Sequence, residues 1–305
     1  MTQPRYSAPE DLSRYAWLSI AAALVTIGLK ASAAWLTGSV GLLSDAAESL
    51  VNLVAAVVAL IALKVSIKPP DESHPFGHSK AEYFSAAVEG IMIFVAAAFI
   101  IAASVDRLIN PRFPEQLGLG LLISVVASAI NGGVAVVLLR AAKRNHSTTL
   151  EADGKHLMTD VITSAAVLLG VALVAITHAP RLDPVVALVA GVNILLTGFS
   201  LVRSSVSGLM DSAMPSEKHD LLVSVLDGFR RDGMIDFNAI RTRVAGQREF
   251  LSFHILVPGV WSVKRGHDFT EKVIDALVKA VPEVRVDAHL EPIEDPKSYE
   301  DEEDY

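Results

Sequence analysis

The sequence contains no cysteine among its 305 residues. That excludes a disulfide framework and any thiolate metal site. It also removes Cu(I) from the favoured ions, since soft ions prefer sulfur ligands. Positive charge is short as well. The 26 Lys and Arg against 34 Asp and Glu leave a formal charge of −8, which gives no support for nucleic-acid binding. There is no His-Glu-x-x-His motif and no ligand set with a clear general base, which argues against an intramembrane metallohydrolase. The first residues lack a basic segment followed by a short apolar core and a small-residue cleavage site, so no removable signal peptide is expected.

Apolar sequence is what the chain has in excess. It is 51% hydrophobic with a mean hydropathy of +0.43, rare in a soluble protein of this length. Six apolar stretches fall at 13–37, 40–66, 81–108, 116–141, 152–178 and 183–207. Each is long enough to cross ~30 Å of hydrocarbon as a helix. Turn and breaker residues separate them, at Thr37-Gly38-Ser39, Lys68-Pro69-Pro70, Asn110-Pro111, Lys143 to Ser147 and His178-Ala179-Pro180. Lys64, Lys68, Lys80, Arg140, Lys143, Arg144 and Arg203 flank one side. Lys30, Arg107, Arg112 and Arg181 flank the other. The positive-inside rule then places both termini in the cytoplasm.

After Asp211 the pattern changes. Residues 216–228 and 266–281 read as helices, and 239–244, 249–257 and 284–290 alternate as strands. Phe250, Ser252, His254 and Leu256 share one side of the second strand. The order α-β-β-α-β predicts a small α+β domain with helices on one face of a sheet. The acidic run Glu300 to Asp304 predicts a solvated, disordered terminus.

Polar residues inside the apolar stretches are costly in a bilayer and mark candidate functional positions. His156 and Asp160 stand four residues apart in EADGKHLMTDVITSAAVLLG, so a helix puts both on one face. Glu48 and Asn52 repeat that spacing in the second stretch, with Asp45 one turn before Glu48. Two such helices facing each other could supply one imidazole nitrogen and several oxygens, a mixture that suits a divalent transition metal. The plainer reading is that His156 and Asp160 only cap or snorkel at an aqueous helix end. In the loop DESHPFGHSKAE, Asp71, His74 and His78 form a second ligand cluster, with Pro75 and Gly77 setting the turn. Its plainer reading is a polar loop with incidental histidines.

Taken together, GSVGLLSDAAESLVN, HPFGHSKAE, HLMTD, LMDSAMP and RTR…FHILV…HLEP resemble the cation diffusion facilitator family over nearly the full chain. The resemblance implies an α-helical membrane protein with six transmembrane helices and a cytoplasmic α+β ferredoxin-like (αββαβ) domain. It implies a homodimer in the inner membrane of a bacterium. That dimer would export Zn²⁺, Fe²⁺, Co²⁺, Mn²⁺, Cd²⁺ or Ni²⁺ from the cytosol, usually in exchange for protons. The implied organisation is a cytoplasmic arm (1–12), a transport domain (13–208), a metal-sensing dimerisation domain (209–293) and an acidic disordered tail (294–305). The runner-up reading is a membrane metal sensor or assembly scaffold that does not transport.

Carried over by position, the family's transport site falls on Glu48, Asn52, His156 and Asp160, with Asp45 able to join or replace Asn52. Glu48 and Asn52 depart from the family, which places Asp, or His with Asp, at those positions. Asp71, His74 and His78 match the family's second site. Lys80 and Asp211 match a charge pair that ties the third span to the C-terminal domain across the dimer. His254, His267, His289 and Glu291 match an intersubunit metal site, with Asn238 standing where a relative has His. For His254 the alternative is a strand residue satisfied by local hydrogen bonds.

Overall fold

The structure is a computed structural model and describes residues 10–37, 40–110, 118–177, 179 and 181–300. Within its helices the side chains at 33–34, 36–37, 40–48, 51, 118–121, 124, 167–168, 170–172, 174–175 and 183 lie outside that description. The expected ligands Asp45 and Glu48 are among them. Two compact units result, a helical one over Glu10–Val206 and a second one from Ser207 onward.

The helical unit is built from α1 (Ser13–Thr37), α2 (Val40–Ser66), α3 (Ala81–Ile109), α4 (Gly118–Asn145), α5 (Thr148–Thr177) and α6 (Leu182–Leu209). By length and composition, four segments among the described residues suffice to cross a membrane: Ser13–Ser32, Ala81–Ile109, Val125–Asn145 and Pro184–Leu209. The described apolar run of α2 is shorter, Asn52–Ser66. Large apolar side chains point outward, among them Trp35 at 87% exposure and Phe99 at 72%. Such a surface is stable against lipid rather than water.

Two cores hold these helices. One joins α1, α2, α4 and α5 through Leu12, Ala16, Leu60, Leu63, Leu138 and Leu157. The other joins α3, α5 and α6 through Ala86, Ile93, Ala97, Ala152, Ile194 and Leu201. Helix α5 contributes to both cores, so its polar face is fixed from two sides. Leu12, placed at the end of the expected arm over 1–12, belongs to the first core, so packed chain begins at that residue.

Close helix contact requires small residues. A Cβ on Gly198 of α6 would lie 2.7 Å from the Phe94 backbone nitrogen and 3.0 Å from the Gly90 carbonyl oxygen. Backbone cannot move aside as a side-chain tip can. Gly198→Ala is therefore expected to cost roughly 1–3 kcal/mol, the usual range for overpacking. Thermal unfolding of the purified protein in detergent checks this, and an unchanged midpoint would show that α3 and α6 separate freely.

The second unit runs α7 (Ser216–Asp227), β1 (Asp236–Ala245), β2 (Arg248–Val257), α8 (Val263–Ala280), β3 (Val284–Pro292) and a 3₁₀ turn (Pro296–Tyr299). This is the α-β-β-α-β order expected. β2 is central, antiparallel to β1 and parallel to β3. The parallel pair needs a crossover, and α8 supplies it. Leu251, Phe253, Ile255 and Val257 of β2 meet Leu222 and Leu226 of α7 and Val273, Ile274 and Leu277 of α8. The opposite face carries Phe250, Ser252, His254 and Leu256, as alternation predicts.

The expected disordered tail over 294–305 starts too early. Ser298 is buried and its carbonyl accepts from Asn238 Nδ2 at 2.8 Å, while the Tyr299 hydroxyl donates to the Ile293 carbonyl at 3.0 Å. Residues 301–305 lie outside the described residues.

Candidate metal sites

Within the helical unit, α2, α4 and α5 bring four polar side chains together. His156 Nε2 lies 2.8 Å from Asn52 Oδ1. An amide oxygen only accepts, so in this arrangement the imidazole carries its proton on Nε2. The same amide donates through Nδ2 to Asp160 Oδ2. Asn131 of α4 donates through its own Nδ2 to that carboxylate oxygen at 3.3 Å. Asn52 and His156 are each 6% exposed.

The i, i+4 spacing thus places His156 and Asp160 on one face, as expected, and that face meets α2. His156 caps no helix end; it bonds across to another helix. The reading as a capping or snorkelling residue does not describe the structure. Asn52 bridges imidazole and carboxylate, and all three are ligand-type groups without any thiolate. Such a group suits a borderline divalent cation once the neutral imidazole presents its lone pair on Nε2, with the proton on Nδ1.

Asn131 was not found from the sequence. The signal available was its place one turn after Ser128 and two after Ser124, a polar stripe on one face of an otherwise apolar span. Three buried carboxylates were also missed. Glu82 Oε2 accepts from the Ser147 hydroxyl and from Thr149 N at 3.3 Å, which fastens the start of α3 to the first turn of α5. Asp153 accepts from Ser19 at 3.1 Å and Glu89 from Ser85 at 3.2 Å. The signal available was acidic side chains within apolar stretches.

The loop between α2 and α3 gathers Asp71, His74 and His78, whose ligand atoms all lie within 4.8 Å of one another. It is the one such group of three His, Asp or Glu ligands found among the described residues. His74 Nδ1 is 3.4 Å from Asp71 Oδ1, and His78 Nε2 is 3.3 Å from Asp71 Oδ2. The Ser73 hydroxyl and the His74 backbone N–H hold the Asp71 carboxyl below the usual carboxylate range. It is therefore ionised at neutral pH and ready to ligate. Pro75 and Gly77 set the turn: Gly77 N donates to the His74 carbonyl at 2.9 Å and adopts φ +88°, which suits glycine.

In the second unit, His254 on β2 is directly paired in register with His289 on β3, their rings 5.3 Å apart. Glu291 bridges them, with Oε2 3.3 Å from His254 Nδ1 and Oε1 3.5 Å from His289 Nε2. All three lie on the sheet face away from α7 and α8. His267 is exposed on α8 and does not join them in a close ligand group among the described residues. Asp211 accepts from Arg243 at 3.1 Å, an ion pair that sequence reading had not included.

Residues 16–210 match the family described as the cation efflux transmembrane domain, and residues 214–293 match the cation efflux protein cytoplasmic domain. The uncharacterized transporter sll1263 of Synechocystis sp. is 50% identical over 286 residues, 94% of this chain and 92% of its own. The cation-efflux pump FieF of Pectobacterium atrosepticum is 30% identical over 278 residues, 90% of each chain. Among solved structures, the metal-bound C-terminal domain of the CzcD transporter from Thermotoga maritima is 27% identical. That match covers 26% of this chain and 92% of that one, with a TM-score of 0.24. An apolar helical unit, an α-β-β-α-β unit after it and family matches across both lead to one conclusion: the chain belongs to the cation diffusion facilitator family, as an integral membrane cation-efflux transporter with a cytoplasmic C-terminal domain.

Proposed function

We propose that this chain moves divalent transition-metal ions of the Zn²⁺, Fe²⁺, Co²⁺, Cd²⁺, Mn²⁺ or Ni²⁺ class out of the cytosol in exchange for protons. The observation that carries the reading is the buried His156–Asn52–Asp160 network between α2 and α5. Glu48, and Asp45 if it turns the same way, would complete the ligand set from α2. The transporter works as a homodimer in the inner membrane of a bacterium, with both termini cytoplasmic. The excess of basic residues flanking one side of the spans supports that orientation. The loop group Asp71, His74 and His78 would bind metal at the cytoplasmic end of the spans. His254, His289 and Glu291, with His267, would bind it between the C-terminal domains of two protomers. The Lys80–Asp211 pair would couple the third span to the C-terminal domain across the dimer.

The ligand chemistry supplies the coupling. Metal binds only neutral imidazole, so where His156 is protonated on both ring nitrogens one proton must leave the site before metal can bind; in the neutral ring the Nε2 proton need only shift to Nδ1. Facing the cytosol, the site releases protons and takes metal. Facing outward, protons compete for His156 and the carboxylates, and metal leaves. Helix rocking about a fixed site interchanges the two states. The FieF relatives are named as cation-efflux pumps, which agrees in direction with this cycle.

Flux into proteoliposomes, with a panel of ions and an imposed pH gradient, tests the proposal. Metal uptake should depend on the gradient; uptake indifferent to it would remove proton exchange. Binding offers a second check. Imidazole ordinarily titrates near pH ~6.5, so affinity should fall as pH drops below that value. Calorimetry in buffers of differing ionisation heat counts the protons released, and a count of zero between pH ~6 and ~7 would exclude coupling through these ligands.

A further inference from the structure

We propose that Asn131, on the fourth helix, supplies a fifth ligand oxygen to the transported cation and so favours ions that accept more than four ligands. The proposal rests on the transport-site reading above. Asn131 is 5% exposed and sits where α4 packs on α5. Its Nδ2 donates to Asp160 Oδ2 at 3.3 Å. Its Oδ1 is buried and has no hydrogen-bond partner among the described residues.

The two ends of one planar amide are adjacent. Nδ2 is docked on Asp160, and Oδ1 is bonded to the same amide carbon, so the unpartnered oxygen belongs to a group already held at that carboxylate. A buried carbonyl without a donor is unfavourable, and nearly all such groups find a partner. A cation held by Asp160 supplies that partner. The helix backbone offers no substitute, because its N–H groups are already engaged within the helix.

The consequence is selectivity. Glu48, Asn52, His156 and Asp160 already make four ligands, which satisfies the tetrahedral preference of Zn²⁺. A fifth, neutral oxygen adds little for Zn²⁺. It suits Mn²⁺, which prefers carboxylate and carbonyl oxygen and higher coordination. Asn131 therefore sets the balance between these ions, and does so from a helix that carries no charged ligand in the site.

The alternative is that Asn131 only positions Asp160. Asp160 serves both ions, so a positioning residue would weaken both alike. The test measures Mn²⁺ and Zn²⁺ affinity, each metal alone, on the purified full-length transporter and its variants. Asn131→Leu should weaken Mn²⁺ by about tenfold or more, within the 10–100-fold range seen when groups around a metal are removed, and leave Zn²⁺ within about threefold. Equal losses for both ions, or none, overturn the proposal. Asn131→Asp keeps the oxygen and adds charge, so it should bind Mn²⁺ at least as tightly as wild type. Weaker Mn²⁺ binding there overturns the proposal even if Asn131→Leu does not fold. Asp160→Ala run alongside separates the two levels. Wild-type affinity in that variant would sink the site itself, whatever Asn131 does.

Discussion

Asp160→Ala should abolish metal flux into proteoliposomes while the protein still assembles and extracts from membranes. Asp160 accepts from two amides, those of Asn52 and Asn131, and so is the point where α2, α4 and α5 converge. Its removal takes the α5 carboxylate from the site. It also strands two buried amide donors, each of which then lacks an acceptor. Loss of a group that only supports a ligand commonly costs ~10–100-fold in metal affinity or activity, and loss of the ligand itself should exceed that. Folding should survive, because the two cores of the helical unit are apolar and do not contain Asp160. His156→Ala should behave alike, since Asn52 Oδ1 then faces no ligand. Wild-type flux in either variant would remove this network from the transport path.

Much of this was visible in the sequence, for identifiable reasons. His156 and Asp160 needed only helical spacing, and the α-β-β-α-β order needed only alternation and turns. Boundaries were less visible because they depend on contacts between distant residues. α5 begins at Thr148 rather than 152, where Glu82 of α3 receives Ser147 and the Thr149 N–H. α8 begins at Val263 rather than 266, because the Ser262 side chain accepts from Arg265 N and starts the helix earlier. β1 runs from Asp236, past the irregularity between Asn238 and Arg241 that breaks its alternation. Asn131 escaped notice for a related reason. Its neighbours on the same face, Ser124 and Ser128, are small hydroxyls with no metal-ligand character, and its meaning appears only when α5 lies beside it.

Asn52→Asp should bind Zn²⁺ or Cd²⁺ more tightly and change the ion preference. In the structure one neutral side chain satisfies both neighbours: Oδ1 accepts from His156 Nε2 and Nδ2 donates to Asp160 Oδ2. The three side chains thereby satisfy one another with a neutral imidazole and a single carboxylate. A carboxylate at 52 would set two anions against each other, and one would hold a proton until metal arrives. Metal would then bind a site with one more negative charge, and charge count tunes affinity at oxygen-rich sites. A gain of at least about tenfold, ~1.4 kcal/mol, is expected in affinity. One more proton should be released per ion near neutral pH. Release would slow, because transport needs a site that lets go, so turnover should fall as affinity rises. Asp45 offers the competing account, in which it already supplies the second carboxylate of α2. Measuring Asp45→Asn beside Asn52→Asp decides between them. If Asp45→Asn abolishes binding and Asn52→Asp leaves affinity and proton count unchanged, the ligand pair of α2 lies one turn earlier, at Asp45 and Glu48 rather than Glu48 and Asn52, and the amide bridge to His156 is a structural contact alone.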